Sequence, residues 1–103
     1  MGLLNRKAGA GTHPQKAAKE VVVINRLGLH ARPAALFVKV ATRHRCDIWV
    51  KKEGEEVNGK SIMGLMMLAA GQGSKLQIRC DGPDAMRALE EIEQLVNARF
   101  NED

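Results

Sequence analysis

The chain has few aromatic residues, few cysteines and no long apolar run. Its aromatic residues are Phe37, Trp49 and Phe100. This scarcity predicts a mainly aliphatic core and leaves little surface on which nucleic-acid bases could stack. Cys46 and Cys80 lack C-x-x-C spacing, which argues against a disulfide framework or a zinc site. Because no stretch is long enough to span a membrane and no signal-peptide pattern is seen, we expect a cytoplasmic protein without membrane insertion.

Acidic residues are missing from the first nineteen positions, and this asymmetry explains the net charge of +4. Residues 1–19 contain four of the 16 basic residues and none of the 12 acidic ones, so the remainder is neutral overall. The segment also lacks hydrophobic periodicity. We therefore predict a flexible basic extension over residues 1–19 and one folded domain over residues 20–103. A small nucleic-acid-binding α+β domain with a basic arm is an alternative that the neutral domain disfavours.

Hydrophobic periodicity predicts the element order β-α-β-β-α-β-α. Strict alternation of apolar and polar residues is typical of half-buried strands, and apolar residues at i, i+3, i+4 and i+7 are typical of helices. Clean alternation in two strands favours an antiparallel sheet with helices on one face, an α+β two-layer sandwich. The predicted strands are Glu20–Ile24, Cys46–Lys52, Glu55–Asn58 and Lys75–Cys80. The predicted helices are Ala34 to residue 43 or 44, Ile62–Ala70 capped by Gly71, and one with the apolar stripe Ala85, Leu89, Ile92, Val96 and Arg99.

A histidine lies in the connection between the first strand and the first helix, within Asn25–Pro33. The first turn of a helix presents unpaired N–H groups and the positive end of the helix dipole, which favour bound anions. A neutral imidazole at His30 could therefore receive a phosphoryl group, and Arg32 could bond its oxygens. The residues alone leave open the alternative that His30 is a turn or helix-capping histidine.

The sequence is not expected to hold a nucleotide or a magnesium ion. We do not expect Gly59-Lys60-Ser61 to belong to a Walker phosphate loop, and no cluster of acidic residues suggests a Mg²⁺ site. Such a domain could carry a phosphoryl group but has no evident nucleotide site of its own.

Ser61 is placed to begin the short second helix as its N-cap. That helix is apolar on more sides than burial requires, and exposed methionines form adaptable docking surfaces. By contrast, we expect Arg43-His44-Arg45 to be a solvated helix end. The predicted partner-binding face consists of Ala35, Lys39, Lys60, Ile62, Met63 and Met66.

Two segments together resemble a known family. Gly28 to Ala35 reads Gly-Leu-His-Ala-Arg-Pro-Ala-Ala, and Phe37-Val38 follows shortly after. This segment looks like the active-site signature of the HPr phosphocarrier family of the bacterial phosphoenolpyruvate-dependent phosphotransferase system. Asn58 to Met66 reads Asn-Gly-Lys-Ser-Ile-Met-Gly-Leu-Met and resembles that family's regulatory-serine region, at the family's spacing from the histidine. The similarity extends over residues 20–100.

The resemblance implies an open-faced β-sandwich with strand order 1-4-2-3 and three helices on one face of the sheet. It implies that His30 accepts a phosphoryl group on Nδ1 from phosphorylated enzyme I and passes it to enzyme IIA domains, with Arg32 as its companion. The transfer would need no metal or cofactor, so the resemblance implies a phosphoryl carrier with a covalent phosphohistidine intermediate rather than a stand-alone enzyme. It also implies regulation at Ser61 by an HPr kinase/phosphorylase, binding of a transcriptional regulator, and a monomeric carrier. A nitrogen-type phosphotransferase relative of the same fold, which controls partners instead of feeding sugar uptake, is the alternative.

Overall fold

A computed structural model describes residues 15–102, which form one antiparallel sheet covered by helices. The sheet has four strands in the order β1-β4-β2-β3. The predicted α+β architecture and strand order are therefore confirmed. The strands are β1 Lys16–Val22, β2 Asp47–Lys52, β3 Glu55–Asn58 and β4 Lys75–Asp81, and the helices are α1 Ala31–Ala41, α2 Ile62–Met67 and α3 Ala85–Asn97.

Alternating side chains on the strands build the core beneath the helices. On β4, Leu76, Ile78 and Cys80 are buried, whereas the residues between them are exposed. Ile48 and Val50 of β2 pair with Cys80 and Ile78, so these side chains share the covered face of the sheet. The helices complete this mainly aliphatic core with Ala34, Phe37, Ala41, Leu65, Ala85, Ala88, Leu89, Ile92 and Val96.

The first helix differs from its predicted bounds at both ends. α1 begins at Ala31 instead of Ala34, and it ends at Ala41 with Thr42 as its C-cap. Pro33 lies in the first turn, where a helical N–H has no acceptor in any case, so proline is tolerated there. The early start makes His30 the N-cap residue of α1.

The second helix is shorter than predicted, and this brings it to the histidine loop. α2 ends at Met67, and the residue with positive φ that follows it is Ala69 (φ 50°), so the prediction of Gly71 as the cap is wrong. Because the helix ends early, the carbonyl of Ala70 is available to accept a hydrogen bond from the backbone N–H of Leu29, at 2.8 Å.

The last helix keeps most of its predicted stripe. Arg99 does not belong to that stripe, because α3 ends at Asn97 and Arg99 is exposed. The chain turns at Arg99–Asn101, and Phe100 is the residue that this turn places in the core.

The first strand begins earlier than the sequence indicated. Lys16 pairs with Asp81 and Val22 pairs with Lys75, so β1 includes residues 16–19. The predicted boundary of the flexible extension at residue 19 is therefore wrong. The rest of that predicted extension, residues 1–14, lies outside the described residues, as does Asp103.

His44 is not part of a solvated helix end, contrary to the prediction. Its relative exposure is 6%, its Nδ1 lies 3.2 Å from Asp84 Oδ2, and its Nε2 lies 2.9 Å from Glu91 Oε1. The Asp84 carboxylate also accepts from the backbone N–H groups of Arg45 and Cys46, each at 3.0 Å. His44 therefore connects the end of α1 to α3 through these two contacts.

Candidate functional site

The side chain of His30 lies at the N-terminus of α1 and is accessible to solvent. His30 has extended backbone angles (φ −82°, ψ −171°), and its carbonyl accepts the first helical hydrogen bond, from Ala34. Its side chain makes no capping bond and is 38% exposed. A partner protein can therefore reach an imidazole next to the positive end of the helix dipole.

The loop before His30 packs against the end of α2. Gly28 has a φ of 72°, and a Cβ at this position would lie 2.5 Å from the carbonyl oxygen of Ala70. Asn25 is fully buried, and its Nδ2 donates to the carbonyl of Gly28 at 2.8 Å. Together with the buried Leu29, these contacts fix the position from which His30 starts the helix.

A carboxylate from the C-terminal segment joins this site, and sequence reasoning missed it. Glu102 Oε1 lies 3.0 Å from His30 Nε2 and accepts from Asn25 Nδ2 at 2.9 Å. The hydrogen bonds from His30 and then Asn25 hold the pKa of Glu102 below its ordinary value, so this carboxyl is ionised at neutral pH. Its distance from His30 in sequence is 72 residues, and no local pattern signals the contact.

Arg32 lies in the first turn of α1 and is exposed. Within residues 15–102 it forms no hydrogen bond or ion pair, but its charge helps to lower the pKa of Glu102. The guanidinium is therefore available to a ligand at the helix N-terminus. Its role as the companion of His30 stays a prediction.

Ser61 caps α2, as predicted. Its Oγ accepts from the backbone N–H of Gly64 at 3.0 Å, and its own N–H donates to the carbonyl of Asn58 at 3.1 Å. The hydroxyl is half-buried next to the exposed Ile62 and Met63. A structural role for Ser61 is thus present whether or not it is modified.

The histidine loop and α2 carry several exposed apolar side chains. Met63 is 74% exposed and Leu27 is 66% exposed, and Ile62, Met66 and Met67 are exposed as well. A depression of about 280 Å³ has His30, Leu27 and Met66 in its lining, so the histidine loop and α2 contribute to one surface. Leu27 was not predicted to belong to this surface.

Three other residues complete the predicted partner-binding face. Ala35 and Lys39 are exposed on α1. Lys60 is half-buried, and its Nζ donates to the carbonyl of His44 at 2.7 Å. Lys60 is therefore anchored at its charged end, and the docking role of all three stays a prediction.

The residues from Gly54 to Ser61 match the letters of a Walker loop, Gly-Glu-Glu-Val-Asn-Gly-Lys-Ser. A premise that no glycine precedes Gly59 by five residues would therefore be wrong, because Gly54 occupies that position. In the structure, Gly54 lies in the β2–β3 turn, and Glu55–Asn58 pairs with β2 as a strand. These residues form half of a hairpin and do not wrap around a phosphate. The match to the Walker sequence pattern therefore does not indicate a nucleotide site.

The fold and the site define an α+β domain with an accessible histidine at a helix N-terminus, and comparison with known proteins places it in a family. Residues 17–98 match the family described as "PTS HPr component phosphorylation site". The phosphocarrier protein HPr of Pseudomonas aeruginosa is 49% identical over 86 residues, covering 82% of this chain and 96% of the relative. HPr of Neisseria meningitidis is 43% identical over 84 residues, covering 82% and 94%. The chain belongs to the HPr family of phosphocarrier proteins of the phosphotransferase system.

Solved structures agree with this assignment. HPr of Bacillus anthracis is 49% identical with a TM-score of 0.76, covering 80% of this chain and 98% of the other. An HPr of Thermoanaerobacter tengcongensis has a TM-score of 0.82 at 39% identity, covering 84% and 98%. The Bacillus subtilis protein Crh, described as a dimer with a swapped domain, is 43% identical with a TM-score of 0.66, covering 79% and 93%. Because a similar chain forms a dimer, the expected monomer stays a prediction.

No helix within residues 15–102 is long and apolar enough to cross a membrane. In the same part of the chain, no group of three or more His, Cys, Asp or Glu residues is arranged to hold a metal ion.

Proposed function

We propose that the protein accepts a phosphoryl group on His30 Nδ1 from phosphorylated enzyme I and passes it to enzyme IIA domains in the cytoplasm. The observation that carries the proposal is the accessible imidazole of His30 at a helix N-terminus without a side-chain cap, beside Arg32. The N–H groups of the first turn and the guanidinium are suited to hold phosphate oxygens while the proteins are docked.

The transfer is a displacement at phosphorus between two imidazole rings. The lone pair on Nδ1 of His30 forms the new N–P bond as the N–P bond of the donor histidine breaks. The bonding pair returns to the donor ring. The reaction is reversible because the two rings are chemically alike, and the protein contributes position and electrostatic stabilisation of the phosphoryl group.

The test is uptake of label from phosphoenolpyruvate in the presence of enzyme I. We expect acid-labile label on the wild-type protein and none on His30→Ala. Arg32→Ala should slow uptake by about 10- to 100-fold, the effect of losing one charge-assisted hydrogen bond, with an unchanged circular dichroism spectrum. Arg87→Ala, which removes an exposed arginine from the first turn of α3, is the control and should have no effect. Label on His30→Ala would refute the proposal.

Regulation at Ser61 is a second proposal, supported by the position of its hydroxyl beside the exposed Ile62 and Met63. Phosphorylation by an HPr kinase/phosphorylase adds about −1.5 to −2 charges at this apolar surface, which opposes docking. Ser61→Asp should therefore accept phosphoryl groups from enzyme I more slowly than wild type. Equal rates would count against this role. Binding of a transcriptional regulator to the phosphorylated form belongs to the same proposal.

The nitrogen-type regulatory alternative can be distinguished from sugar uptake by the enzyme IIA domain that accepts the phosphoryl group. If the chain serves sugar uptake, the phosphorylated protein should transfer its phosphoryl group rapidly to a sugar-type enzyme IIA. Preferential phosphoryl transfer to a nitrogen-type enzyme IIA would assign the chain to the regulatory branch and leave the role of His30 unchanged.

A further inference from the structure

Three of the exposed side chains on α2 are methionines, and they share one side of the helix. Met63 is 74% exposed, Met67 is 68% exposed and Met66 is 43% exposed. Because an α-helix turns by about 100° per residue, the three lie within a sector of about 100°, and the buried Leu65 faces the opposite way. Met63 is a direct neighbour of the other two on the helix surface, at spacings of three and four residues. The helix therefore presents three thioether side chains together to solvent.

This methionine sector borders the histidine loop. Met66 lines the same depression of about 280 Å³ as His30 and Leu27. Ser61 caps the beginning of the helix that carries the sector. A protein that docks over His30 to exchange a phosphoryl group therefore meets at least the nearest of these methionines.

The two cysteines, the other sulfur-containing residues between positions 15 and 102, are not available to an oxidant. Both side chains are buried. Burial raises the pKa of Cys46 to about 12 and that of Cys80 to about 11, so both remain protonated at neutral pH. The thiolate is the form that peroxides attack readily. In this part of the chain, the accessible sulfur is therefore that of the α2 methionines and of Met86 on α3, which is 63% exposed.

We propose that Met63, Met66 and Met67 form an oxidation site at which hydroperoxides switch off docking at the His30 surface. This inference rests on the proposed function for its consequence, although the modification can be measured without any partner. A sulfur lone pair attacks the hydroperoxide, so that an S–O bond forms as the O–O bond breaks. The proton of the transferred oxygen passes to the leaving oxygen, and water or an alcohol departs. The product is a sulfoxide, which methionine sulfoxide reductases return to the thioether.

Oxidation changes the character of this surface. A sulfoxide is polar, whereas the thioether is a flexible apolar group suited to docking. A partner that covers the sulfoxide removes water from its oxygen, which is unfavourable unless a hydrogen bond replaces that water. We expect each sulfoxide that docking covers to weaken the complex by about 10-fold. Leucine at the same positions would keep the surface apolar but could not be oxidised.

The first test maps the modification on the full chain. The protein is exposed to limiting hydrogen peroxide, digested and examined by mass spectrometry. We expect sulfoxide on Met63 and Met67 at rates close to that of Met86, and slower oxidation of the less exposed Met66, with an unchanged circular dichroism spectrum. Met63 and Met67 that remain unmodified after Met86 has been oxidised would overturn the inference.

The second test measures the consequence. The oxidised protein is freed of peroxide and mixed with untreated enzyme I and labelled phosphoenolpyruvate. Uptake by wild type and by the control Met86→Leu should fall by about 10-fold or more, and methionine sulfoxide reductase should restore it. The triple variant Met63→Leu, Met66→Leu and Met67→Leu should keep the rate that it had before treatment.

Two results would overturn the switch: uptake by oxidised wild type that is unchanged, or an equal loss in the triple variant, which would place the cause at another residue. If the three sulfoxides form and even untreated protein takes up no label, the oxidation site stands and the proposed function fails.

Discussion

Gly28→Ala tests whether the backbone next to His30 depends on close contact with the end of α2. Gly28 has a φ of 72°, and an added Cβ would lie 2.5 Å from the oxygen of Ala70 and 2.8 Å from Cα of Gly71. Both neighbours are backbone atoms, so neither can move aside as a flexible side chain would. The substitution must separate the loop from residues 70–71, and this separation breaks the bond from Leu29 N–H to Ala70.

The expected loss of stability has two parts. Alanine at a left-handed backbone angle costs about 1–2 kcal/mol. Loss of the Leu29 hydrogen bond costs about 1–2 kcal/mol more, because it leaves a buried donor without its acceptor. We therefore expect Gly28→Ala to lower the free energy of unfolding by about 2–4 kcal/mol.

Gly54→Ala is the matched control for Gly28→Ala. Gly54 also has a positive φ, of 86°, but an added Cβ would meet no atom within 4 Å. It should lose only the conformational part, about 1–2 kcal/mol. Urea unfolding followed by circular dichroism measures both variants. Free energies of unfolding that agree within about 0.5 kcal/mol would refute the close-contact reasoning.

Three further predictions concern stability and are checked by urea unfolding. His44→Ala should lose about 2–4 kcal/mol, because it leaves the carboxylates of Asp84 and Glu91 without their buried partner; a loss below about 1 kcal/mol would contradict this. Burial raises the pKa of Asp84, but hydrogen bonds from the backbone of Arg45 and Cys46 outweigh it and hold the pKa well below its ordinary 3.8. The carboxylate's contribution is therefore present above pH 3.8 and is lost as the pH falls further, so Asp84→Asn should flatten the acid side of the stability profile; parallel profiles would contradict it. Ser61→Ala should lose about 1 kcal/mol with the helix cap, and an unchanged midpoint would show that the cap is not stabilising.

Features that depend on neighbouring residues could be predicted from the sequence. The alternation in β4 and the buried stripe of α3 are local, and both were confirmed. Ser61 was also recognised as a cap, because its bond to Gly64 is only three residues away in sequence. The His30 segment could be recognised because its strand, glycine, histidine and proline follow one another directly.

Features that depend on distant partners could not be predicted. His44 follows a helix and looks exposed in sequence, but its acidic partners are 40 and 47 residues away. Glu102 lies 72 residues from His30, near a chain end where an acidic residue is unremarkable in sequence. The start of β1 was missed for the same reason, since Lys16 and Ala17 favour a strand weakly and become one by pairing with β4.

We propose that His30 receives a phosphoryl group from one protein and delivers it to another. The most direct test phosphorylates the protein with purified enzyme I and labelled phosphoenolpyruvate and then adds an enzyme IIA domain. We expect one label per chain on Nδ1 of His30, located by NMR of the phosphorylated ring, followed by transfer of that label to the enzyme IIA domain. Label on any other residue, or a phosphorylated His30 that transfers its phosphoryl group to no enzyme IIA domain, would contradict this proposal.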